Sequence, residues 1–215
     1  LPSITKIIGV VLMLFSLSMW PPIVVALVYG ETHMLGVFAA TFLATFGVGY
    51  VCWLVCRRDT LSLRVRDGCL AAVLFWVVLC IFGAVPFYFD GNLHMSLINA
   101  MFESVSGLTT TGATVLTGLD GLSKTILYYR QQLQLLGGMG IIVLAVAVLP
   151  ALGAGGMQLY QAEVPGPVKD AKMTPRIAET AKILWRLYLG MVVLCAVCYG
   201  CAGMDVFEAI GEAFS

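Results

Sequence analysis

The part of the sequence most able to carry chemistry is a threonine-rich segment, Thr109–Thr114, in which three consecutive threonines precede Gly112. The carbonyl oxygens of non-helical backbone can replace the hydration shell of a cation where that backbone lines a water-filled path at membrane depth. Glycine permits the backbone angles that aim successive carbonyls at one axis. The segment therefore indicates a cation site. The alternative interpretation is a threonine-rich extracellular turn packed on helices.

An acidic residue, Glu103, precedes this segment by six positions. It belongs to the moderately apolar stretch His94–Gly107, and an ionisable group at membrane depth usually has a function. Its charge could raise the local concentration of cations, or its oxygens could accept hydrogen bonds from the backbone of the threonine-rich segment. The second, supporting role is favoured, and Ala113 is assigned to the same support.

The elements that position these residues must lie in lipid. Of the 215 residues, 60% are hydrophobic and 11% are charged, whereas a soluble domain carries about 25% charged residues. A chain of this length has no core large enough to hide so much apolar surface. The sequence therefore predicts an all-α membrane protein. Its formal net charge is zero, which gives no reason to expect a nucleic-acid partner.

Spanning helices are predicted from apolar runs of about 20 residues, the length that crosses about 30 Å of hydrocarbon. Five runs qualify, and the last of them contains Arg186 one turn from its start, where a long side chain can reach the interface. The predicted spans are Ile7–Tyr29, Leu35–Cys56, Cys69–Phe89, Leu135–Leu152 and Ile183–Gly203. The seven cysteines lie in or beside these runs, where they behave as small hydrophobic residues.

The basic residues are distributed unevenly between the two sides of these spans. Ten of them precede the first span, follow the second or surround the start of the fifth, and only Lys124 and Arg130 lie on the other side. Because basic residues accumulate on the cytoplasmic side, this pattern predicts a cytoplasmic N-terminus. Arg130 is assigned a surface role at the outer end of the fourth span.

The region Asp90–Gln134, between the third and fourth spans, must enter and leave the membrane from the outside. A helix over Ser96–Gly107 would measure about 18 Å, roughly half the hydrocarbon thickness. Five extended residues would then return about 16 Å. This is the geometry of a re-entrant pore helix followed by an extended loop. The helix would point its partially negative C-terminus at the membrane centre, where it favours a cation.

A weaker pattern indicates repetition. Ala100–Ser106 and Ala209–Ser215 share alanine, glutamate and serine at a constant offset of 109 residues. Each follows a predicted span after a short loop that contains an aspartate. The pattern predicts a repeated unit of span, half-helix, loop and span, with residue 215 inside the second half-helix.

Two other classes of function compete with cation transport. A membrane-embedded enzyme would need a nucleophile and a base, or a metal motif, within the spans. No HExxH or GxSxG motif occurs, and both histidines, His33 and His94, lie in loops. An enzyme is therefore not predicted. A non-conducting membrane scaffold or subunit stays open as the alternative.

Three long blocks resemble the bacterial TrkH-type potassium uptake proteins of the Trk/Ktr/HKT superfamily, over essentially the whole chain. The blocks are FESVSGLTTTGATVLTGLD, YRQQLQLLGGMGIIVLAVAVLP and GGMQLYQAEVPGPVKDAKMTPRIAETAK. The resemblance implies four pseudo-repeats of span, pore helix and span around one ion path. It divides the chain into two extra spans (1–66), a first repeat (67–152), a cytoplasmic connector (153–182) and the start of a second repeat (183–215).

The resemblance also implies the ligands of the ion. Potassium would be bound by the backbone carbonyls of Thr110 and Thr111, flanked by Thr109 and Gly112. In this family glycine at the position of Gly112 goes with potassium and serine with sodium. No organic cofactor is expected. One filter strand of four would not conduct alone, and a first residue other than methionine predicts that the natural start lies upstream.

Partners follow from the same resemblance. It implies a homodimer in the bacterial inner membrane that works with a cytosolic, nucleotide-binding regulatory subunit of the TrkA type. Lys169, Lys172 and Arg176 in the connector are candidate contacts for that subunit. A solvated connector without a partner is the alternative interpretation.

Overall fold

The computed structural model describes residues 2–57, 65–140 and 173–215, and within these ranges the chain forms helices and no strand. Two 3₁₀ turns, Leu17–Met19 and Leu119–Gly121, accompany the α-helices. The helices are α1 (Pro2–Ser16), α2 (Trp20–Tyr29), α3 (Thr32–Val55), α4 (Val65–Phe89), α5 (Leu97–Leu108), α6 (124–140), α7 (Met173–Cys201) and α8 (Val206–Phe214). The predicted all-α class is confirmed.

Four helical stretches in the described ranges are long and apolar enough to cross a membrane. They are Ile4–Tyr29, Thr32–Val55, Leu70–Phe89 and Glu179–Cys201, and they match four of the predicted spans to within four residues at each end. The remaining predicted span, Leu135–Leu152, lies outside the described residues beyond position 140. Its described part belongs to α6, which already begins at residue 124.

The first spanning stretch is interrupted where the 3₁₀ turn joins α1 to α2, just before Pro21 and Pro22. Proline has no N–H, so neither residue can donate a hydrogen bond to the preceding turn. The carbonyl oxygen of Ser18 instead accepts a hydrogen bond from Nε2 of Gln132 in α6, at 2.7 Å. The two prolines therefore leave an acceptor that connects the first helices to α6.

α1 and α3 approach each other through glycines. A Cβ atom placed on Gly9 would lie 2.7 Å from the carbonyl oxygen of Gly49, and one placed on Gly49 would lie 2.8 Å from that of Gly9. Small residues allow such direct backbone contact between helices in membranes. The buried stripe of α3 that contains Gly49 also includes Phe38, Thr41 and Thr45.

α6 is held near the site by contacts at its start and in its middle. The carboxylate of Glu31 accepts hydrogen bonds from the backbone N–H groups of Lys124 (2.8 Å) and Thr125 (3.0 Å). These are N–H groups that a helix start leaves without an internal acceptor. One turn later, the buried Tyr129 donates its hydroxyl to the carbonyl oxygen of Gly83 in α4, at 3.0 Å. α6 is thereby fixed relative to α4 and to the loop before α3.

The described residues divide into two compact units, Leu1–Leu135 and Leu136–Phe214. In the second unit, α7 is one continuous helix that carries Cys195, Cys198 and Cys201 near its end. Close packing occurs at Gly138, where a Cβ atom would lie 2.5 Å from the hydroxyl oxygen of Tyr188. α8 occupies the sequence position predicted for a second half-helix, and its Ala209 and Gly211 are buried.

Candidate cation site

The site is built on α5, which begins one residue later and ends one residue later than the predicted helix. Ser96 caps its start, because its Oγ accepts a hydrogen bond from the N–H of Asn99 at 3.2 Å. On the buried face, Ser104 Oγ donates to the carbonyl oxygen of Cys80 in α4 at 2.7 Å. On the side of α6, a Cβ atom on Gly107 would lie 2.9 Å from Cβ of Leu133. α5 is therefore closely packed between α4 and α6.

In the threonine-rich segment that follows α5, the backbone angle φ alternates in sign from residue to residue between Thr110 and Gly112. Thr110 has a φ of 57° and Gly112 a φ of 73°, while Thr111 between them does not have a positive φ. A positive φ is an outlier for a β-branched residue and costs it about 1–2 kcal/mol. Such strain is concentrated at functional sites. The sequence predicted this freedom at Gly112 but gave no sign of it at Thr110.

The N–H groups of Thr110, Thr111 and Gly112 point back at the last turn of α5. Thr110 N donates to Gly107 O at 3.0 Å, and Thr111 N and Gly112 N both donate to Ser106 O, at 2.9 and 3.4 Å. No peptide bond in the described ranges is cis. In a trans peptide the carbonyl is antiparallel to the N–H of the following residue. The carbonyls of Thr110 and Thr111 therefore point away from α5.

The carbonyl oxygens along the segment have different partners. Thr109 O accepts a hydrogen bond from Oγ1 of Thr110 at 2.7 Å, Gly112 O from Nη2 of Arg130 at 2.8 Å, and Ala113 O from Oγ of Ser106 at 2.6 Å. Between them, the carbonyl oxygens of Thr110 and Thr111 accept no hydrogen bond from the part of the chain that the structure describes. Two consecutive carbonyls, both on exposed residues, are thus left for another ligand.

Glu103 lies behind the segment and is fully buried. Its Oε1 accepts hydrogen bonds from Oγ1 of Thr114 at 2.6 Å and from the N–H of Val115 at 2.7 Å, and its Oε2 accepts from Nε of Arg130 at 3.2 Å. Of the two roles considered for Glu103, this geometry corresponds to support of the backbone. Ala113 shares in that support through its carbonyl bond to Ser106.

The surface role assigned to Arg130 is wrong. Its side chain is 13% exposed and forms an ion pair with Glu103, at 3.2 Å between Nε and Oε2. The same guanidinium reaches Gly112 O. An ionisable residue in a largely apolar helix usually pairs with another buried one, and Glu103 is such a residue. Both ionisable residues could be recognised in the sequence, but they are 27 positions apart, so local sequence did not indicate that they pair.

The candidate regulatory contacts are not tested. Lys169 and Lys172 lie outside the described residues. Arg176 belongs to the first turns of α7, of which only the helical backbone is described. Their assignment stays a prediction.

Several long apolar helices, with a short helix and a non-helical segment packed against them, define a polytopic membrane protein. Comparison with known proteins gives the family. The model of the TrkH family, described as cation transport protein, matches residues 35–215. The chain belongs to the TrkH family, which is a family of transporters and not of enzymes.

Individual relatives agree with this family. The chain is 56% identical over 214 residues to the Trk system potassium uptake protein TrkH of Vibrio parahaemolyticus, which covers 99% of the chain and 44% of that protein. It is 54% identical over 215 residues to the protein of the same description from Halomonas elongata, covering 100% of the chain and 44% of the relative. The chain thus spans less than half the length of these relatives.

The fold is also similar to a solved structure. The crystal structure of the potassium transporter TrkH from Vibrio parahaemolyticus superposes with a TM-score of 0.85 at 49% sequence identity. The match covers 99% of this chain and 42% of that one. The helical fold of the chain is therefore similar to that of the matched part of this transporter.

Proposed function

We propose that the protein to which this chain belongs takes up potassium across the bacterial inner membrane, with Thr110 and Thr111 supplying backbone carbonyl ligands. The observation that carries the proposal is the pair of consecutive carbonyls that point away from α5 and accept no hydrogen bond from the described residues. The relatives with 56% and 54% identity, both described as potassium uptake proteins, support the choice of ion.

The local electrostatics favour a cation over an anion. Carbonyl dipoles present partial negative charge, and such oxygens can replace the waters of a potassium ion. α5 ends at Leu108, directly before the segment, so the partially negative end of its dipole faces the same place. Thr109 and Gly112 flank the two free carbonyls, as the resemblance to the family implied. Three further strands from the rest of the protein would complete the coordination.

The finer organisation belongs to the same proposal. α5 would be the re-entrant pore helix of the first repeat (67–152), α1 to α3 the extra spans (1–66), and α8 the start of the second pore helix. The N-terminus would be cytoplasmic, two copies of the protein would associate, and a nucleotide-binding subunit of the TrkA type would contact the connector. The alternative is a non-conducting membrane subunit.

Uptake by the complete protein in a bacterium that lacks its own potassium uptake systems tests the proposal. Wild type should restore growth at low external potassium, whereas Gly112→Ser should take up potassium and sodium with less discrimination. Gly118→Ser is a matched control, because Gly118 also has a positive φ (67°), lies in the same loop and has no neighbour within 4 Å of a built Cβ atom. It imposes a similar backbone strain outside the row of carbonyls.

The outcomes separate the two functions. If Gly112→Ser lowers the ratio of potassium to sodium uptake and Gly118→Ser leaves it unchanged, the carbonyl site is supported. An unchanged ratio in Gly112→Ser would refute the assignment of the segment as a selectivity filter. Absence of potassium uptake by the wild type at normal membrane levels would favour the non-conducting subunit.

A further inference from the structure

We propose that Arg130 is a positioning residue for ion selectivity: its guanidinium holds the Gly112 carbonyl and so fixes where the row of ion-binding carbonyls ends. This inference rests on the proposed function and deepens it. It begins from the two different bonds that one guanidinium makes. Nε pairs with Oε2 of Glu103 at 3.2 Å, and Nη2 donates to Gly112 O at 2.8 Å.

The hydrogen bond from Arg130 to Gly112 O lies at a boundary in the row of carbonyls along the chain. Thr110 O and Thr111 O accept no hydrogen bond from the described residues, and the next two oxygens, of Gly112 and Ala113, are both held by side chains. The change from unbound to bound carbonyls falls between Thr111 and Gly112. The first bond on the bound side is the one from Arg130.

A restraint on one peptide limits its neighbour. The Gly112 carbonyl and the Thr111 carbonyl are joined through the φ and ψ angles of Gly112, which is held at a φ of 73°. Glycine alone would move freely among several backbone regions. A charge-assisted hydrogen bond to Gly112 O removes much of that freedom. The direction of the Thr111 carbonyl therefore depends on the Arg130 bond.

Charge adds a second effect. A guanidinium 2.8 Å from Gly112 O makes this oxygen a poor ligand for another cation. At the same time, the carboxylate of Glu103 neutralises the arginine, so the pair adds little net repulsion at the two free carbonyls. The pair therefore disfavours a cation at Gly112 and tolerates one at Thr111.

Arginine suits this position better than lysine. Its planar fork presents donors in fixed and different directions, so one side chain can bind a carboxylate and a carbonyl at the same time. A lysine at this position would keep the charge and could pair with Glu103, but it lacks the rigid second donor. Arg130→Lys thus removes the proposed restraint while it preserves the buried ion pair.

The test measures initial rates of potassium and sodium uptake by the complete protein carrying Arg130→Lys, Arg130→Gln or Lys124→Gln. Lys124→Gln is the matched control, since it removes a basic charge from the same helix six residues away. Loss of a charge-assisted hydrogen bond should lower the potassium-to-sodium ratio about tenfold and raise KM for potassium in both Arg130 variants. The control should change the ratio less than about twofold.

The ratio of two rates does not depend on how much protein reaches the membrane, so partial loss of folded protein leaves the comparison intact. An unchanged ratio and KM in Arg130→Lys would overturn the inference while wild-type uptake still supports the proposed function. An equal change in Lys124→Gln would also overturn it, because the effect would then be one of general surface charge. Absence of potassium uptake by wild type would instead refute the proposed function.

Discussion

α1 meets α3 through two glycines, whereas α5 meets its neighbours largely through hydrogen-bonding side chains. At the first contact the backbones touch directly, at Gly9 and Gly49. At the second, Ser106, Glu103 and Arg130 bind backbone groups in and just after the threonine-rich segment that no helix satisfies. Ser104 adds a hydrogen bond to the carbonyl oxygen of Cys80 within α4. Both regions belong to the same compact unit.

The difference follows from whether the backbone in each region satisfies its own hydrogen bonds. A continuous helix satisfies its own N–H and carbonyl groups, so α1 and α3 need only complementary surfaces. The threonine-rich segment is not helical. At membrane depth, backbone N–H and carbonyl groups without a partner are energetically costly, so those of the segment need partners outside a helix. Side chains from α5 and α6 bind the carbonyl oxygens of Gly112 and Ala113, whereas those of Thr110 and Thr111 accept no hydrogen bond from the described residues. Substitutions at the α1–α3 contact should therefore affect stability alone, whereas substitutions around the threonine-rich segment should affect selectivity as well.

The largest effect is expected from Glu103→Ala. This change leaves the Arg130 guanidinium, the N–H of Val115 and the hydroxyl of Thr114 without their acceptor. Breaking a buried ion pair by removing one partner costs about 3 kcal/mol or more, and the partial exposure of Arg130 favours the lower end. The thermal midpoint of the purified complete protein in detergent should fall accordingly.

Glu103→Gln serves as the comparison for that variant. The amide oxygen can still accept from the backbone, while the charge is lost, so its midpoint should lie between those of wild type and Glu103→Ala. If Glu103→Ala were as stable as wild type, the region around the threonine-rich segment would not depend on this network.

A pair of glycine substitutions tests the comparison directly. A Cβ atom at Gly107 would lie 2.9 Å from Cβ of Leu133, and one at Gly9 would lie 2.7 Å from Gly49 O. Each Gly→Ala change overpacks a helix contact, and we expect each to lower the free energy of unfolding by about 1–3 kcal/mol. Only Gly107→Ala should lower the ratio of potassium to sodium uptake, because it displaces α5 relative to α6 and therefore to Arg130.

The same two assays distinguish the outcomes of this pair. Equal changes of the uptake ratio in Gly9→Ala and Gly107→Ala would show that selectivity depends on the packing of the whole unit. A stability loss without any change of ratio in Gly107→Ala would show that α5 can move without disturbing the segment.

The sequence predicted the helices but not the hydrogen-bond partners of the buried polar side chains, and this division corresponds to the difference between the two regions. The apolar runs predicted four spans to within a few residues, and the short stretch before three threonines predicted α5, because both are properties of local sequence. The partners of the buried polar groups were missed. Ser18 and Gln132 are 114 residues apart, and Glu103 and Arg130 are 27 apart. Polarity identifies a residue that needs a partner, but only the packing of helices decides which one it meets.

The smallest effect is expected at Thr45, in the buried stripe of α3 that contains Gly49. Its hydroxyl is buried and has no hydrogen-bond partner in the described ranges, whereas the hydroxyl of Thr41, one turn earlier, donates to Val37 O at 2.8 Å. A buried hydroxyl without a partner is unfavourable, so Thr45→Val should raise the free energy of unfolding by up to about 1 kcal/mol. Thr41→Val, which loses a bond, should be neutral or slightly destabilising. Neither should change the uptake ratio, since α3 needs apolar contact here and no polar network. A clear loss of stability in Thr45→Val would mean that its hydroxyl has a partner in the complete protein and that the two regions differ less than their contacts indicate.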